Sequence, residues 1–255
     1  VNYALNPALN KEEFIKAILT GLTPPPGYFP KNVLMNIQGY ESLDTVLERG
    51  HKALTAENFE MVANETNALV LDTRNATDFA NGFIPNSINI GLDGSFAQWV
   101  GEMIPDIKQE ILLVSNPGYE DEAMIRLSRV GYDGSIGYLE GGFDAWKKAG
   151  KEVDTVKRIT AEQFATIHEN EKPLTIDIRK KSEFQSQHIT DAVNIPLNEI
   201  NNHLAEFPKD KPFILHCAGG YRSMIAASML KQRGWDNFSD VIGGFTEIAK
   251  TNVPK

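Results

Sequence analysis

Apolar residues along this chain fall into two alternating patterns. Short, β-rich and mainly apolar runs occupy 69–71, 111–114 and 136–139, and again 174–176, 213–216 and 239–242. Between them lie stretches of helical spacing such as 121–130 and 223–233, where Met224, Ile225, Met229 and Leu230 recur with Ala226 and Ala227 between them. Continuous apolar strands separated by helices predict an α/β fold of parallel sheets covered by helices on both faces. In such sheets, sites lie beyond the carboxyl ends of the strands. Ahead of these patterns, Glu12 to Gly21 reads as a helix with Phe14, Ile15, Ile18 and Leu19 on one face, stopped by Pro24-Pro25-Pro26-Gly27. Ser42 to Arg49 reads as a second short helix.

The two sets of strands belong to an internal duplication. Leu54-Thr55-Ala56-Glu57-Asn58-Phe59 reappears as Ile159-Thr160-Ala161-Glu162-Gln163-Phe164. Asp72 answers to Asp177 and Asn89 to Asn194, both 105 residues on, whereas Ser115 answers to Cys217 and Gly141-Gly142-Phe143 to Gly243-Gly244-Phe245, 102 residues on. The first copy therefore carries three extra residues between Leu92 and Ser115, a loop-sized difference. The expected organisation is a short helical tail over 1–50, one domain over 51–153 and a second over 154–255. The chain opens on Val1-Asn2-Tyr3 without a methionine, and 1–50 is expected to be the tail of an upstream domain plus a linker.

Composition narrows the function. With 255 residues, 42% hydrophobic and 23% charged, the chain has the make-up of a soluble globular protein of about two domains. A net charge of −9, with no Lys/Arg cluster that offers a phosphate-neutralising stripe, argues against nucleic acid. No apolar run approaches the ~20 residues of a membrane span. A single cysteine precludes an internal disulfide and suits the cytoplasm. The five histidines are scattered, so neither a metal site nor a cofactor is expected in this stretch.

That one cysteine stands where chemistry is expected. Phe213-Ile214-Leu215-His216 runs into Cys217-Ala218-Gly219-Gly220-Tyr221-Arg222-Ser223, and a helix follows with Ser223 as its expected N-cap. In a strand-to-helix turn, backbone N–H groups without intrahelical partners converge with the positive end of the helix dipole and favour an anion. Arg222 adds a full charge, and such surroundings pull a thiol below its free pKa of about 8.5. The alternative is a lone cysteine as a small buried hydrophobe. Core packing alone does not call for two glycines and an arginine after it.

The second copy resembles the rhodanese family in Asp177-Ile178-Arg179, Glu183-Phe184, His188-Ile189, Asn194-Ile195-Pro196, the Cys217 to Ser223 loop and Gly243-Gly244-Phe245. The likeness extends over both repeats, roughly 53–255, and implies two rhodanese-like domains in tandem. It also implies a sulfurtransferase in which Cys217 takes a sulfane sulfur from thiosulfate or a low-molecular-weight persulfide and hands it to a thiol, sulfite or cyanide. The N–H groups of Ala218, Gly219, Gly220, Tyr221, Arg222 and Ser223 would hold the persulfide, and Arg222 would attract the donor. Asp177 and Arg179 are expected to support the loop as an ion pair, and Glu183 and His188 either to orient it or to cap backbone. His216 points away from Cys217 by strand alternation and reads as a packed histidine. With Ala218 and Gly219 in place of basic residues, thiosulfate is not favoured over a persulfidated thiol. Rhodanese-like phosphatases place five residues between cysteine and arginine; here there are four, 218–221.

The first copy has Ser115-Asn116-Pro117-Gly118-Tyr119-Glu120-Asp121 in place of this loop. Serine carries no persulfide, Pro117 lacks an amide donor, and Glu120 and Asp121 bring negative charge. This copy is expected to be inactive and structural. The N-terminal stretch, including Asn6-Pro7 and Pro26-Gly27-Tyr28-Phe29-Pro30 with Asn32 and Asn36, is similar to the end of metallo-β-lactamase-fold persulfide dioxygenases that carry rhodanese domains. That likeness implies a metal-dependent upstream domain as partner, beside the small sulfur substrate; the sequence leaves open whether the chain forms a homo-oligomer. The opposing expectation is a non-catalytic scaffold or regulatory module.

Overall fold

The computed structural model describes residues 8–19 and 28–255. Pro24 to Gly27 and Asn6-Pro7 lie outside them. The N-terminal region is helical: α1 (Lys11–Leu19), α2 (Phe29–Gln38) and α3 (Leu43–Gly50), the last capped by Ser42 Oγ, which accepts from Thr45 N. The first copy follows as β1 (Ala53–Leu54), α4 (Ala56–Glu65), β2 (Leu69–Asp72), α5 (Ala76–Asn81), β3 (Ile88–Asn89), α6 (Phe96–Met103), β4 (Ile111–Val114), α7 (Glu120–Ser128), β5 (Ser135–Leu139) and α8 (Gly142–Lys148). The second repeats the order as β6 (Arg158–Ile159), α9 (Ala161–Glu171), β7 (Leu174–Asp177), α10 (Lys181–Ser186), β8 (Val193–Asn194), β9 (Phe213–His216), α11 (Tyr221–Gln232), β10 (Phe238–Val241) and α12 (Gly244–Ile248). Where the first copy has α6, the second has 3-10 turns over Leu197–Asn202 and Leu204–Glu206. The length difference between the repeats falls in this region.

Among the described residues the strands form two five-stranded sheets with identical order, β1-β5-β4-β2-β3 and β6-β10-β9-β7-β8, every pairing parallel. The central strands β4 and β9 are buried at every position, as strands covered on both faces must be. One face of each sheet packs against its own helices: Phe59 and Trp146 on the first, Phe164 and Ile248 on the second.

The opposite faces share one continuous core. Leu71, Phe79 and Ile88 of the first copy and Ile176, Leu215 and Met224 of the second belong to the same cluster. At its centre, α11 is buried without a break from Ser223 to Leu230. Ala226, Ala227 and Ser228 keep its surface small, so β3 approaches closely enough for Ser228 Oγ to accept from Asn89 N at 3.0 Å. The helix begins three residues earlier than a Ser223 N-cap implies, with Gly220 at the N-cap and φ +104°. Ser223 is thus not the cap; it lies in the first turn and donates to Gly220 O at 3.2 Å. The start of the second copy is pinned to the first, since Phe83 and Asp154 exchange backbone hydrogen bonds of 2.9 and 3.0 Å.

Candidate active site

The carboxyl ends of β7, β9 and β10 and the first turn of α11 converge on Cys217. The residue is 1% exposed, and its Sγ accepts a hydrogen bond from Gly220 N at 3.1 Å. Positive φ at Gly220 turns this amide inward, a conformation that a side chain would strain. Gly219, by contrast, has open space where a Cβ would stand. The loop's own carbonyls are held from below by the start of α12: Phe245 N donates to Cys217 O at 2.7 Å and Thr246 N to Ala218 O at 3.0 Å. Gly244 permits this approach, because a Cβ there would lie 2.4 Å from Cys217 O.

Arg222 is half-buried and does not stand free. Its Nη1 and Nη2 donate to the two oxygens of Glu183 at 2.6 and 2.8 Å. This fork holds the Glu183 carboxyl below its ordinary value and, with the Cys217 side chain adding to the effect, raises the guanidinium above its own. Glu183 is therefore joined to the loop, but His188 is not. The His188 ring stacks on Phe184 at 3.9 Å, and its Nδ1 lies 2.8 Å from Phe184 O at the end of α10.

Asp177 and Arg179 form a fully enclosed pair, Arg179 Nη2 donating to Asp177 Oδ2 at 2.6 Å and to Gln187 O at 2.8 Å. The guanidinium carbon also sits 3.9 Å above the Phe245 ring. The first copy reproduces each part: Arg74 donates to Asp72 and to Gly82 O, 4.1 Å above Phe143. Asn89 and Asn194 each donate to the backbone carbonyls of both members of the corresponding pair. The repeated residues thus build the same fastening in a copy that has no cysteine. His216 is completely buried, 3.9 Å from Asp177 Oδ2, and burial lowers its pKa so that it is neutral.

Two participants escaped sequence reasoning. Asp240, 0% exposed on β10, accepts from Arg158 Nε at 3.1 Å, and its Oδ1 has no partner. Burial pushes its pKa up to about 6, against the pull of the Arg158 guanidinium. Arg158 also donates to Thr77 Oγ1 of the first copy at 3.2 Å. In the first sheet the same register position holds Ala53 opposite Tyr138, so this pair has no twin that the repeat could reveal. The second missed element is the turn Gly91 to Gly94, against which Tyr221 packs.

In the first copy, Ser115 Oγ is bonded to Thr73 Oγ1 at 2.8 Å. The Gly118 amide, counterpart of Gly220, donates to Glu120 Oε2 at 2.8 Å. The position that receives sulfur in one loop receives a carboxylate of the chain itself in the other. Asp121 lies 2.7 Å from His51 Nδ1. Among the described residues no cluster of three or more His, Cys, Asp or Glu side chains could hold a metal ion, and no helix is long and apolar enough to cross a membrane.

A model of the rhodanese-like domain matches the chain twice, over residues 55–149 and 160–251. The chain belongs to the rhodanese-like family. Its relatives include thiosulfate sulfurtransferase GlpE of Pseudomonas syringae, 34% identical over 99 residues that cover 39% of this chain and 92% of that protein. Uncharacterized protein YqhL of Bacillus subtilis is 36% identical over 90 residues, 35% of this chain and 70% of its own length. A rhodanese-related protein of known structure from Thermoplasma volcanium is 31% identical, covering 38% of this chain and 95% of that one with a TM-score of 0.35. Sulfurtransferases among the rhodanese relatives support sulfur transfer as the general activity.

Proposed function

We propose that the second copy is a sulfurtransferase whose sulfur carrier is Cys217 and that the first copy does not react. The observation that carries this reading is the Gly220 N–H donated to Cys217 Sγ at the start of α11. A thiolate there attacks the terminal sulfur of a persulfide R–S–SH, the S–S bond of the persulfide breaks, and R–S⁻ leaves with the bonding pair as Cys217–S–SH forms. Thiosulfate would react in the same way, with sulfite leaving. A thiol, sulfite or cyanide then takes the outer sulfur and returns the Cys217 thiolate. The loop amides hold the charge of the persulfide as they hold that of the thiolate.

The donor is a persulfidated small thiol in preference to thiosulfate. Ala218 and Gly219 add no positive charge, and Glu183 offsets that of Arg222, so little draws a dianion. Asp177 and Arg179 act as a structural fastening, since the same assembly stands in the inactive copy. The stretch over 1–50 would be the tail of a metal-dependent persulfide-oxidising domain, whose body would cover the exposed apolar residues Leu19, Val33 and Ile37.

Intact mass before and after incubation with glutathione persulfide or thiosulfate, followed by cyanide, tests the reading beside Cys217→Ser. The expected result is a gain of one sulfur that cyanide removes, absent from the variant. No gain with either donor would leave the chain as a non-catalytic module.

A further inference from the structure

The same tyrosine stands in both loops, but the two have opposite fates. Tyr119 of the first copy is 51% exposed. Tyr221 is partly buried and crosses the boundary between the copies, its hydroxyl donating to Gly91 O at 2.7 Å. Its ring lies flat on Gly94, where an added Cβ would fall 2.4 Å from two ring carbons, Cε2 and Cζ. At Gly91 a Cβ would stand 3.4 Å from Cε2, in ordinary contact. Burial raises the phenol pKa, with the Asp93 carboxylate adding to the effect, so the hydroxyl keeps the proton it donates.

Tyr221 is the first residue of α11 and directly follows Gly220, whose amide reaches Cys217 Sγ. A ring clamped outside its own domain sets the direction of the peptide that leads into the helix, and with it the aim of the adjoining amide. Among the described residues no side-chain hydrogen bond comparable to that of Tyr221 anchors Tyr119, which is 51% exposed, and in that copy no thiol needs an aimed amide.

We infer that Tyr221 is a positioning residue for the Cys217 centre and that the Gly91–Gly94 turn of the inactive copy is its seat. The first copy then contributes to the reaction without touching sulfur: it holds the persulfide loop in the geometry in which the Gly220 amide meets Sγ. Displacement of a donor by even an ångström from its productive position costs up to about 100-fold in rate. This inference rests on the sulfur-transfer reading of Cys217, but its test does not depend on that reading alone.

The experiment compares the full chain with Gly94→Ala, Tyr221→Phe, Tyr221→Ala and the Gly94→Ala/Tyr221→Ala double variant. Two quantities are read: kcat and KM for transfer from glutathione persulfide to cyanide, and the pH profile of Cys217 alkylation by iodoacetamide. Gly94→Ala is expected to lower kcat at least about tenfold with KM changed by less than about twofold, and to move the alkylation profile to higher pH. Tyr221→Phe, which keeps the ring and loses the hydrogen bond to Gly91 O, should show a smaller change in the same direction. In the Tyr221→Ala background the added methyl at residue 94 should change little further, because the three atoms nearest to it all belong to the ring. Unchanged kcat and alkylation in Gly94→Ala, or an equal loss in both backgrounds, would overturn the inference. If the parent chain carries no sulfur, the sulfurtransferase reading fails, while the alkylation profiles of the same variants still decide whether the seat positions the thiol.

Discussion

The Glu120 carboxylate folds back to accept the Gly118 amide at 2.8 Å, and thereby fills the anion position of its own loop. Glu120 stands where the second copy has Arg222, so one exchange both removes a positive charge and supplies a resident negative one. Ser115→Cys is accordingly expected to take up no cyanide-removable sulfur. Intact mass of that variant, combined with Cys217→Ser, measures it; sulfur uptake at residue 115 would show that the carboxylate does not block the cradle.

Freeing Arg222 should change the choice of donor. Glu183→Gln removes the opposing charge while keeping a hydrogen-bond acceptor, and KM for thiosulfate is expected to fall relative to that for glutathione persulfide. A ratio of the two constants equal to that of the parent chain would mean that Arg222 does not face the donor.

The paired fastenings allow a test of structure against chemistry. Asp177→Ala strands a buried guanidinium and should cost about 3–5 kcal/mol of stability. Asp72→Ala in the first copy should cost a similar amount, read as urea midpoints. A negligible effect of Asp72→Ala beside a large one of Asp177→Ala would assign the second pair a role beyond support.

Gly244→Ala and Gly142→Ala form another matched set. A Cβ at residue 244 would press on Cys217 O and at 142 on Ser115 O at 2.8 Å, and both residues have positive φ. Each should destabilise by about 1–3 kcal/mol. Sulfur transfer per folded molecule is expected to fall in Gly244→Ala, because Phe245 N and Thr246 N no longer hold the loop. It should be retained in Gly142→Ala.

Asp240 gives a pH signature. Its folded value of about 6 lies above the ordinary 3.8, so the folded chain binds a proton that the unfolded chain does not between those limits. Burying the charge therefore lowers stability above pH 6, and the penalty disappears as the pH falls towards 4. Measured against Asp240→Asn, the parent chain should gain on the order of 1–3 kcal/mol over that interval. A difference between the two proteins that stays constant from pH 7 to 4 would contradict it. The lowered value of His216 acts in the opposite direction below its ordinary 6.5, but it is common to both proteins and cancels.

The repeat made much of this arrangement legible in advance. Asp72 and Asp177, Asn89 and Asn194, and Gly142 and Gly244 occupy matching places because each pair closes the same local assembly. The two-residue strands β1, β3, β6 and β8 were invisible, being too short to show a period. Ser223 reads as an N-cap because serine commonly is one, whereas the tight turn after Cys217 gives that place to Gly220, which alone tolerates the required φ. Arg158 with Asp240, Ser228 with Asn89 and Tyr221 with Gly94 were unreadable for a different reason. They join residues far apart in the chain, and neither spacing nor the duplication marks them.

The contact of Ser228 with Asn89 bears on how the copies could exist apart. β3 is the last strand of the first sheet, and in the intact chain its free side meets a helix. A first copy produced alone would present that margin as an unsatisfied edge, open to pairing with any passing strand, and the second would bare the apolar flank of α11. Isolated halves should therefore cling to one another through the very surfaces that the duplicated chain folds against itself.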